Sequence, residues 1–329
     1  MKFVTYTQFD SDLPRFGFKK GKFIVDVLRA AIWAKQSQNR NEFLDIPTSL
    51  KRTLEQWHFH YRRLQKLSEL VPSMDLHSYT ANEKPIAMEE KDVTLHSPIP
   101  NPSTFRDFYA FEQHVKSARK LRGLEMDPTW YELPVFYFSN PNALFGHGAP
   151  IPYPVGSLEM DFELEIGIII GQGGKNISAS DADYYIAGYT IINDWSARDF
   201  QRQEMKLNLG PAKGKDFATS VGPYMVTPDE LSHVWSGNKM QLRMTCHVNG
   251  IKLSDGNTND MYHSFATMIE HASRNAELKP GDIIGSGTVG TGCILELRPE
   301  NTNGWLKSGD KVDCEIEQLG KLENTISSS

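Results

Sequence analysis
The sequence predicts an α+β protein in which β-sheet dominates. Short alternating apolar and polar runs, broken by Gly and Pro, recur along most of the chain, whereas few segments carry helical spacing. Apolar residues make up 39% and charged residues 23%, the balance of an ordinary globular protein rather than a disordered or fibrous one. At 329 residues the chain has room for one large domain, or a large one plus a small one.

The same composition excludes several function classes. No run of about 18 uncharged apolar residues is present, so no membrane-spanning helix is expected. The opening MKFVTYTQFD lacks the apolar core of a secretory signal. Three cysteines (Cys246, Cys293 and Cys314) are too few, and odd in number, for a disulfide framework, which suits a reducing compartment. A net charge of −6 favours neither nucleic acid nor an anionic membrane as partner. A cytoplasmic globular protein is therefore expected.

Residues 1–25 read as short strands. In 49–71, Leu50, Leu54, Trp57, Tyr61, Leu64 and Leu67 recur every three or four positions, which predicts one amphipathic helix. VTLHSPIPNPS, at 93–103, reads as a strand and a Pro-rich connection. The domain boundary is placed there, giving a small N-terminal domain over 1–98 and a catalytic domain over 99–329. Next, FRDFYAFEQHVKSARKL reads as a helix. Strands are then expected at 161–170, 186–193, 220–226, 240–248, 282–287, 293–298 and 311–317. Asn249-Gly250 signals a hairpin, a second helix is expected over 259–275, and Lys279-Pro280-Gly281-Asp282 forms a turn. The polar end, Asn324 to Ser329, is expected to fray.

The most informative stretch is Asp161-Phe162-Glu163-Leu164-Glu165-Ile166-Gly167 running into three isoleucines. Residues two apart in a strand share a face, so Glu163 and Glu165 point the same way. In an interior strand they would repel unless a cation neutralised them; on an edge strand they would sit in water. Asp194 ends the next strand, where ligand groups often sit, although an N-cap or turn would use it equally well. Asp107 and His114, seven residues apart on the expected helix, share a face about 10 Å apart. Ligation by Asp and Glu alone points to Mg²⁺, with Ca²⁺ or Mn²⁺ as alternatives, rather than zinc. His58 and His60 do not face each other on a helix and make no metal pair.

Several ordered motifs together resemble the fumarylacetoacetate hydrolase family. They are Asp107-Phe108-Tyr109 through His114, Glu163-Leu164-Glu165, Asn193 to Gln201 (NDWSARDFQ), Gly214 to Thr219 (GKDFAT), Ser286-Gly287-Thr288, the L-E-L strand at Glu296 and the closing run GDKVDCEIEQLGKLENTI. The resemblance covers about Thr104 to Asn324. It implies a mixed β-sandwich or roll core, a small N-terminal β-barrel-like domain and a homodimer. It also implies metal ligands at Asp107, Glu163, Glu165 and Asp194, with Lys215 and Thr219 near a cation or the substrate. The family's catalytic dyad falls on His114 and Glu296, and its oxyanion-stabilising residues on Arg198, Gln201 and Lys215. Tyr109, Tyr137 and Thr288 fall on substrate-contacting positions, and Arg119 or Arg122 on the carboxylate-binding arginine. The implied activity is metal-dependent hydrolysis of a C–C bond in a small acidic 1,3-diketone, fumarylacetoacetate or a related acylpyruvate, as in tyrosine degradation.

Two departures concern the far end of the substrate: the loop from Gln201 to Lys215 is one residue longer than in fumarylacetoacetase, and Met205 replaces a tyrosine. Taken singly, Arg198 would be read as a salt-bridge partner of Asp199 or Glu204, and Lys215 as a solvated turn lysine. A metal-dependent lyase on the same scaffold, either a β-keto-acid decarboxylase or an enoate hydratase, and a metal-stabilised binding protein are the alternative functions.

Overall fold
The computed structural model describes residues 1–9 and 11–328. Twelve strands form the main sheet. In chain order they are β1 (Lys2–Gln8), β2 (Ser11–Lys20), β3 (Phe23–Asp26), β4 (Ala87–Glu89), β5 (Val93–Leu95), β6 (Phe105–Phe108), β7 (Phe136–Ser139), β8 (Leu144–Phe145), β9 (Leu164–Ile170), β10 (Ile186–Asn193), β11 (Thr219–Val226) and β12 (Ile283–Gly285). Across the sheet the order is β4-β3-β2-β1-β11-β10-β9-β12-β6-β7, with β5 on β1 and β8 on β11. The N-terminal strands close no barrel among the described residues. They extend the sheet, because β1 pairs antiparallel with β11 through Lys2↔Val226 and Phe3↔Met225.

A second sheet of five strands runs Pro150–Pro152, Gly320–Ser327, Lys311–Ile316, Arg243–Val248 and Ile251–Asn257. It packs on one face of the main sheet as the other half of a sandwich. Between them Leu164, Ile166, Ile168 and Ile170 meet Met244, Val312, Ile316, Leu322 and Ile326 in one core. The expected hairpin forms at Asn249-Gly250, both with positive φ (51° and 81°). Residues 324–327 do not fray: they lie in the strand Gly320–Ser327, and Asn324 donates from Nδ2 to Gly146 O and Ala149 O at 2.9 and 2.8 Å. Ser329 lies outside the described residues.

The opposite face carries helices α1 (Val27–Gln38), α2 (Leu50–Leu54) and α3 (Trp57–Leu70). Leu54, Trp57, Leu64 and Leu67 pack there with Phe105, Ile169, Ile192, Val221 and Ile283 from the later strands, so 1–98 and 99–329 share a core as well as a sheet. The single helix expected over 49–71 is two. Thr53 Oγ1 bonds back to Ser49 O at 2.9 Å, and the Glu55 amide closes on Arg52 O instead of one residue earlier. Both tighten the last turn, and the helix restarts at Trp57 with its apolar stripe still facing the sheet.

Three further expectations change. Asp107 is not helical: it lies in β6, paired parallel with β12 and antiparallel with β7, while His114 sits on a separate helix, α4 (Glu112–Leu121). Phe105 and Phe108 have helical spacing, but two flanking strands satisfy the backbone better than one helical turn would. Residues 293–298 are no strand; Ile294–Leu297 make one helical turn. The helix expected over 259–275 is confined to α6 (Phe265–Ser273), capped by Ser264, whose side chain accepts the Thr267 amide.

Candidate active site
The site lies where β11, β10, β9, β12, β6 and β7 run side by side. Alternation along each strand decides which residues enter it. Ile169 of β9, Ile192 of β10, Val221 of β11, Ile283 of β12 and Phe105 of β6 all face the helix-covered core. Two residues along from these come Gly167 and then Glu165, Thr219, Gly285 and Asp107 on the same face, and Asp194 follows just past the end of β10. The carboxylates therefore continue an apolar face rather than interrupt it. β9 is interior, flanked by β10 and β12, and Glu163 and Glu165 are 6% and 1% exposed, so neither sits in water.

Asp107, Glu165 and Asp194 converge, with one oxygen from each inside a sphere where all lie within 4.8 Å. Asp107 Oδ1 and Glu165 Oε1 find no hydrogen-bond donor. Burial raises the pKa of all three carboxyls, and mutual repulsion adds to it, Asp194 acting on Asp107 and Asp107 on Glu165. Gly285 makes room for them. A Cβ there would stand 2.4 Å from Asp107 Oδ1 and 3.0 Å from Glu165 Oε2, so a side chain on β12 would fill the space between the two strands. Asp194 is neither an N-cap nor a turn residue. Its carboxylate accepts from Tyr137 Oη at 2.6 Å, Lys215 Nζ at 2.5 Å and Thr219 Oγ1 at 3.4 Å.

Glu163 does not join this group, although it lies two residues from Glu165. It sits just before β9, and its oxygens accept from Lys215 Nζ at 2.5 Å and Arg198 Nη2 at 2.7 Å. Burial works against its charge, but Lys215 and Arg198 outweigh that and hold the carboxyl below the usual range. Lys215, 3% exposed, is no solvated turn lysine: it bridges Glu163 and Asp194, and despite burial those two carboxylates raise its pKa. As a protonated ammonium it offers donors and no lone pair, so it cannot ligate a cation. Arg198 pairs with neither Asp199 nor Glu204. At the start of α5 (Arg198–Met205) it donates to Asp161 from Nε at 2.9 Å and to Gln201 Oε1 from Nη1 at 3.0 Å.

Asp161 carries weight that the sequence motifs did not assign to it. Beyond Arg198, its oxygens accept the Ile294 and Leu295 amides at 2.7 and 2.9 Å, tying the Glu296 turn, α7 (Ile294–Leu297), to this site. Its place at the head of the D-F-E-L-E run was the available signal, as was the DIIGSGT segment for Gly285. Five buried carboxylates (Asp107, Asp161, Glu163, Glu165 and Asp194) thus face two buried cations, Lys215 and Arg198. The excess negative charge, the orphaned oxygens and the all-oxygen donor set fit a hard divalent cation held by Asp107, Glu165 and Asp194.

His114 and Glu296 meet from α4 and α7, His114 Nδ1 lying 3.0 Å from Glu296 Oε2. Burial raises the Glu296 carboxyl, but His114 and the Ser117 hydroxyl, 3.2 Å away, bring it below its usual value. Glu296 is therefore an acceptor to which Nδ1–H donates, an arrangement that in the neutral imidazole puts the lone pair on Nε2. Tyr109 stands edge-on to the His114 ring, centroids 5.6 Å apart, and burial pushes its hydroxyl up to about 12. Thr288 is buried just beyond β12. Arg122 is exposed, with Nε on Ala118 O, and Arg119 Nε donates to Glu125 O. Met205, also exposed, ends α5.

Comparison with known proteins gives a consistent picture. Residues 103–327 match the model of the fumarylacetoacetate (FAA) hydrolase C-terminal family. Oxaloacetate tautomerase YisK of Bacillus subtilis is 32% identical over 236 residues, 71% of this chain and 73% of that protein. A fumarylacetoacetate hydrolase domain-containing protein 2 homolog of Dictyostelium discoideum is 37% identical over 199 residues, 59% of this chain and 63% of its own length. Among solved structures, fumarylacetoacetate hydrolase of Exiguobacterium antarcticum aligns over 100% of both chains with a TM-score of 0.70 at 24% identity. Maleylpyruvate hydrolase of Sphingobium sp. SYK-6, in complex with manganese(II) and pyruvate, does so with a TM-score of 0.69 at 21% identity. Both likenesses are in fold. No helix among the described residues is long and apolar enough to cross a membrane.

Proposed function
The chain belongs to the fumarylacetoacetate hydrolase family, and from that premise we propose that it is a divalent-metal-dependent hydrolase of small acidic 1,3-dicarbonyl compounds, acylpyruvates in particular. The observation that carries the reading is one buried network that joins an imidazole–carboxylate dyad to a carboxylate cluster: His114 Nδ1 lies 3.0 Å from Glu296 Oε2, the Glu296 turn is tied through Asp161 and Arg198 to Glu163 and Lys215, and Lys215 reaches Asp194, which converges with Asp107 and Glu165. A Mg²⁺ or Mn²⁺ ion on those three carboxylates would supply Lewis-acid polarisation of the two dicarbonyl oxygens.

The side chains then divide the work. Glu296 selects the His114 tautomer with hydrogen on Nδ1, so Nε2 of the neutral ring can take a proton from water directed at the polarised carbonyl. Lys215 has three N–H donors and commits two, to Glu163 and Asp194, which leaves one for a developing oxyanion. Gln201 accepts from Arg198 through Oε1, so its Nε2 is the half that can donate to substrate. Arg198, engaged by Asp161, Glu163 and Gln201, acts chiefly by holding those groups in place. Tyr109, Tyr137 and Thr288 are assigned to substrate contact, and Arg122 to the distal carboxylate. The hydroxyl of Tyr137 already reaches Asp194 at the cluster.

A second reading is keto–enol tautomerisation of a β-keto diacid such as oxaloacetate, favoured by the name of the Bacillus subtilis relative. It uses the same cation site and a proton carrier but breaks no C–C bond. One assay separates the two. Acylpyruvates, fumarylacetoacetate and oxaloacetate are supplied with Mg²⁺ or Mn²⁺, and products are followed by NMR. Two carboxylate fragments from an acylpyruvate support hydrolysis; faster enol–keto exchange with all carbons retained supports the tautomerase and sinks the hydrolase. His114→Ala is expected to keep divalent-cation affinity and to lose about 10²-fold or more in turnover, the typical worth of a general base; unchanged turnover removes His114 from the mechanism.

A further inference from the structure
Cys293 lies against the dyad and has no part in the chemistry above. Its Sγ is 3.9 Å from His114 Nδ1, and one ligand atom from each of His114, Cys293 and Glu296 falls in a set where all lie within 4.8 Å. His114 is 5% exposed and Cys293 fully buried, and the Glu296 side chain is 6% exposed. A tetrahedral zinc ion with bonds of about 2.0–2.3 Å separates its nitrogen, sulfur and oxygen ligands by roughly 3.3–3.6 Å. The observed separations of 3.0 Å for Nδ1–Oε2 and 3.9 Å for Nδ1–Sγ straddle that range. Two of the three donors, the imidazole nitrogen and the cysteine sulfur, are softer than oxygen, whereas Asp107, Glu165 and Asp194 offer oxygen alone.

We propose that His114, Cys293 and Glu296 form a second metal site that takes Zn²⁺ or another thiophilic divalent ion and switches the enzyme off. The protons balance simply. The metal binds the Cys293 thiolate, whose proton leaves to solvent, together with the Glu296 carboxylate and the Nδ1 lone pair of His114. The imidazole stays neutral, so its one proton moves from Nδ1 to Nε2. Nε2, now carrying hydrogen, can no longer accept a proton. Glu296, bound to metal, no longer orients the ring. Hard ions are not drawn to the thiolate and remain on the carboxylate cluster, so the two positions sort cations by softness. The ligands must be deprotonated to bind the metal, so binding releases protons and weakens as pH falls.

The inhibitory part rests on His114 being the base; the site itself does not, and the test separates them. Co²⁺ is titrated into the protein with Mg²⁺ saturating, and absorption is read in the near ultraviolet, where only thiolate-bound cobalt gives a strong charge-transfer band. One equivalent is expected to produce the band in the wild type, and Cys293→Ala to abolish it. Cys246→Ala and Cys314→Ala should retain it, because those thiols, 3.8 Å apart, join no cluster of three ligating groups among the described residues. A wild type without the band, or a band that survives Cys293→Ala, overturns the site. If Cys293→Ala does not fold, Glu296→Gln decides: cobalt affinity should fall about tenfold or more, and an unchanged affinity overturns the proposal. Zinc should inhibit Mg²⁺-loaded wild type and not Cys293→Ala. Inhibition of both overturns the switch, while the cobalt spectrum reads the same whichever reaction the enzyme performs.

Discussion
Glu163 and Glu165 stand two residues apart and are both buried, yet the physics pulls them in opposite directions. Glu165 faces Asp107 and Asp194 with an orphaned oxygen, whereas Glu163 is neutralised by Lys215 and Arg198. In metal-free protein, Glu165→Gln removes one of three repelling charges and should raise the melting temperature while divalent-cation affinity is lost. Glu163→Gln leaves two buried cations short of a partner and should cost on the order of 3 kcal/mol. Melting in EDTA, with and without added Mg²⁺, checks both; the same sign of shift for the two variants would contradict the division. At this scale much was legible. Asp107, Glu165, Asp194, His114, Glu296, Arg198 and Lys215 all fall in one network. Alternation along the sequence puts Glu163 and Glu165 on one face, but alternation holds only within a strand, and Glu163 lies before β9 begins.

The elements that present these residues were less legible than the residues themselves. Asp107 and His114 were expected on one helix and come from β6 and α4; Glu296 was expected on a strand and sits on a one-turn helix anchored by Asp161. Short segments have weak intrinsic preferences, and their neighbours in space decide the outcome. Longer segments kept their periodicity: α3 turns Trp57, Leu64 and Leu67 to the sheet as the spacing implied, even though the chain breaks before it. Leu64 is fully buried in that contact. Leu64→Ala should cost about 2–5 kcal/mol through lost burial and the cavity left behind, measured by urea denaturation. A loss below about 0.5 kcal/mol, the range of surface substitutions, would mean that α3 is not packed as described.

For the molecule as a whole, the arrangement of layers matters most. The segments 1–98 and 99–329 share the twelve-stranded sheet through β1 and β11, and the N-terminal helices cover Phe105, Ile169, Ile192, Val221, Met225 and Ile283. Residues 99–329 alone would leave that face to water, so this piece should bind a hydrophobic dye and lose the cooperative melt of the full chain. A sharp melt and wild-type metal affinity in the isolated piece would show that the first 98 residues are dispensable to the fold. The carboxylate-lined face continues the covered one along the same strands, so the N-terminal segment supports the candidate site through the sheet it helps to bury.

The sequence alone carries the sheet-dominated class and the motifs of the family resemblance, and only through that resemblance the set of acidic, basic and imidazole groups that gather, because motif spacing is local and survives in one dimension. Only the tertiary structure decided how those groups are shared out. Asp107 joins Glu165 and Asp194 because β6, β12 and β9 are neighbours in the sheet, with Gly285 leaving room between them. Glu163 is diverted to Lys215 and Arg198, Asp161 reaches α7, and Cys293 comes to rest beside His114. Such pairings join residues up to 182 positions apart in the chain. Whether a buried charge meets a cation, another carboxylate or nothing depends on a few ångströms that no spacing along the chain encodes.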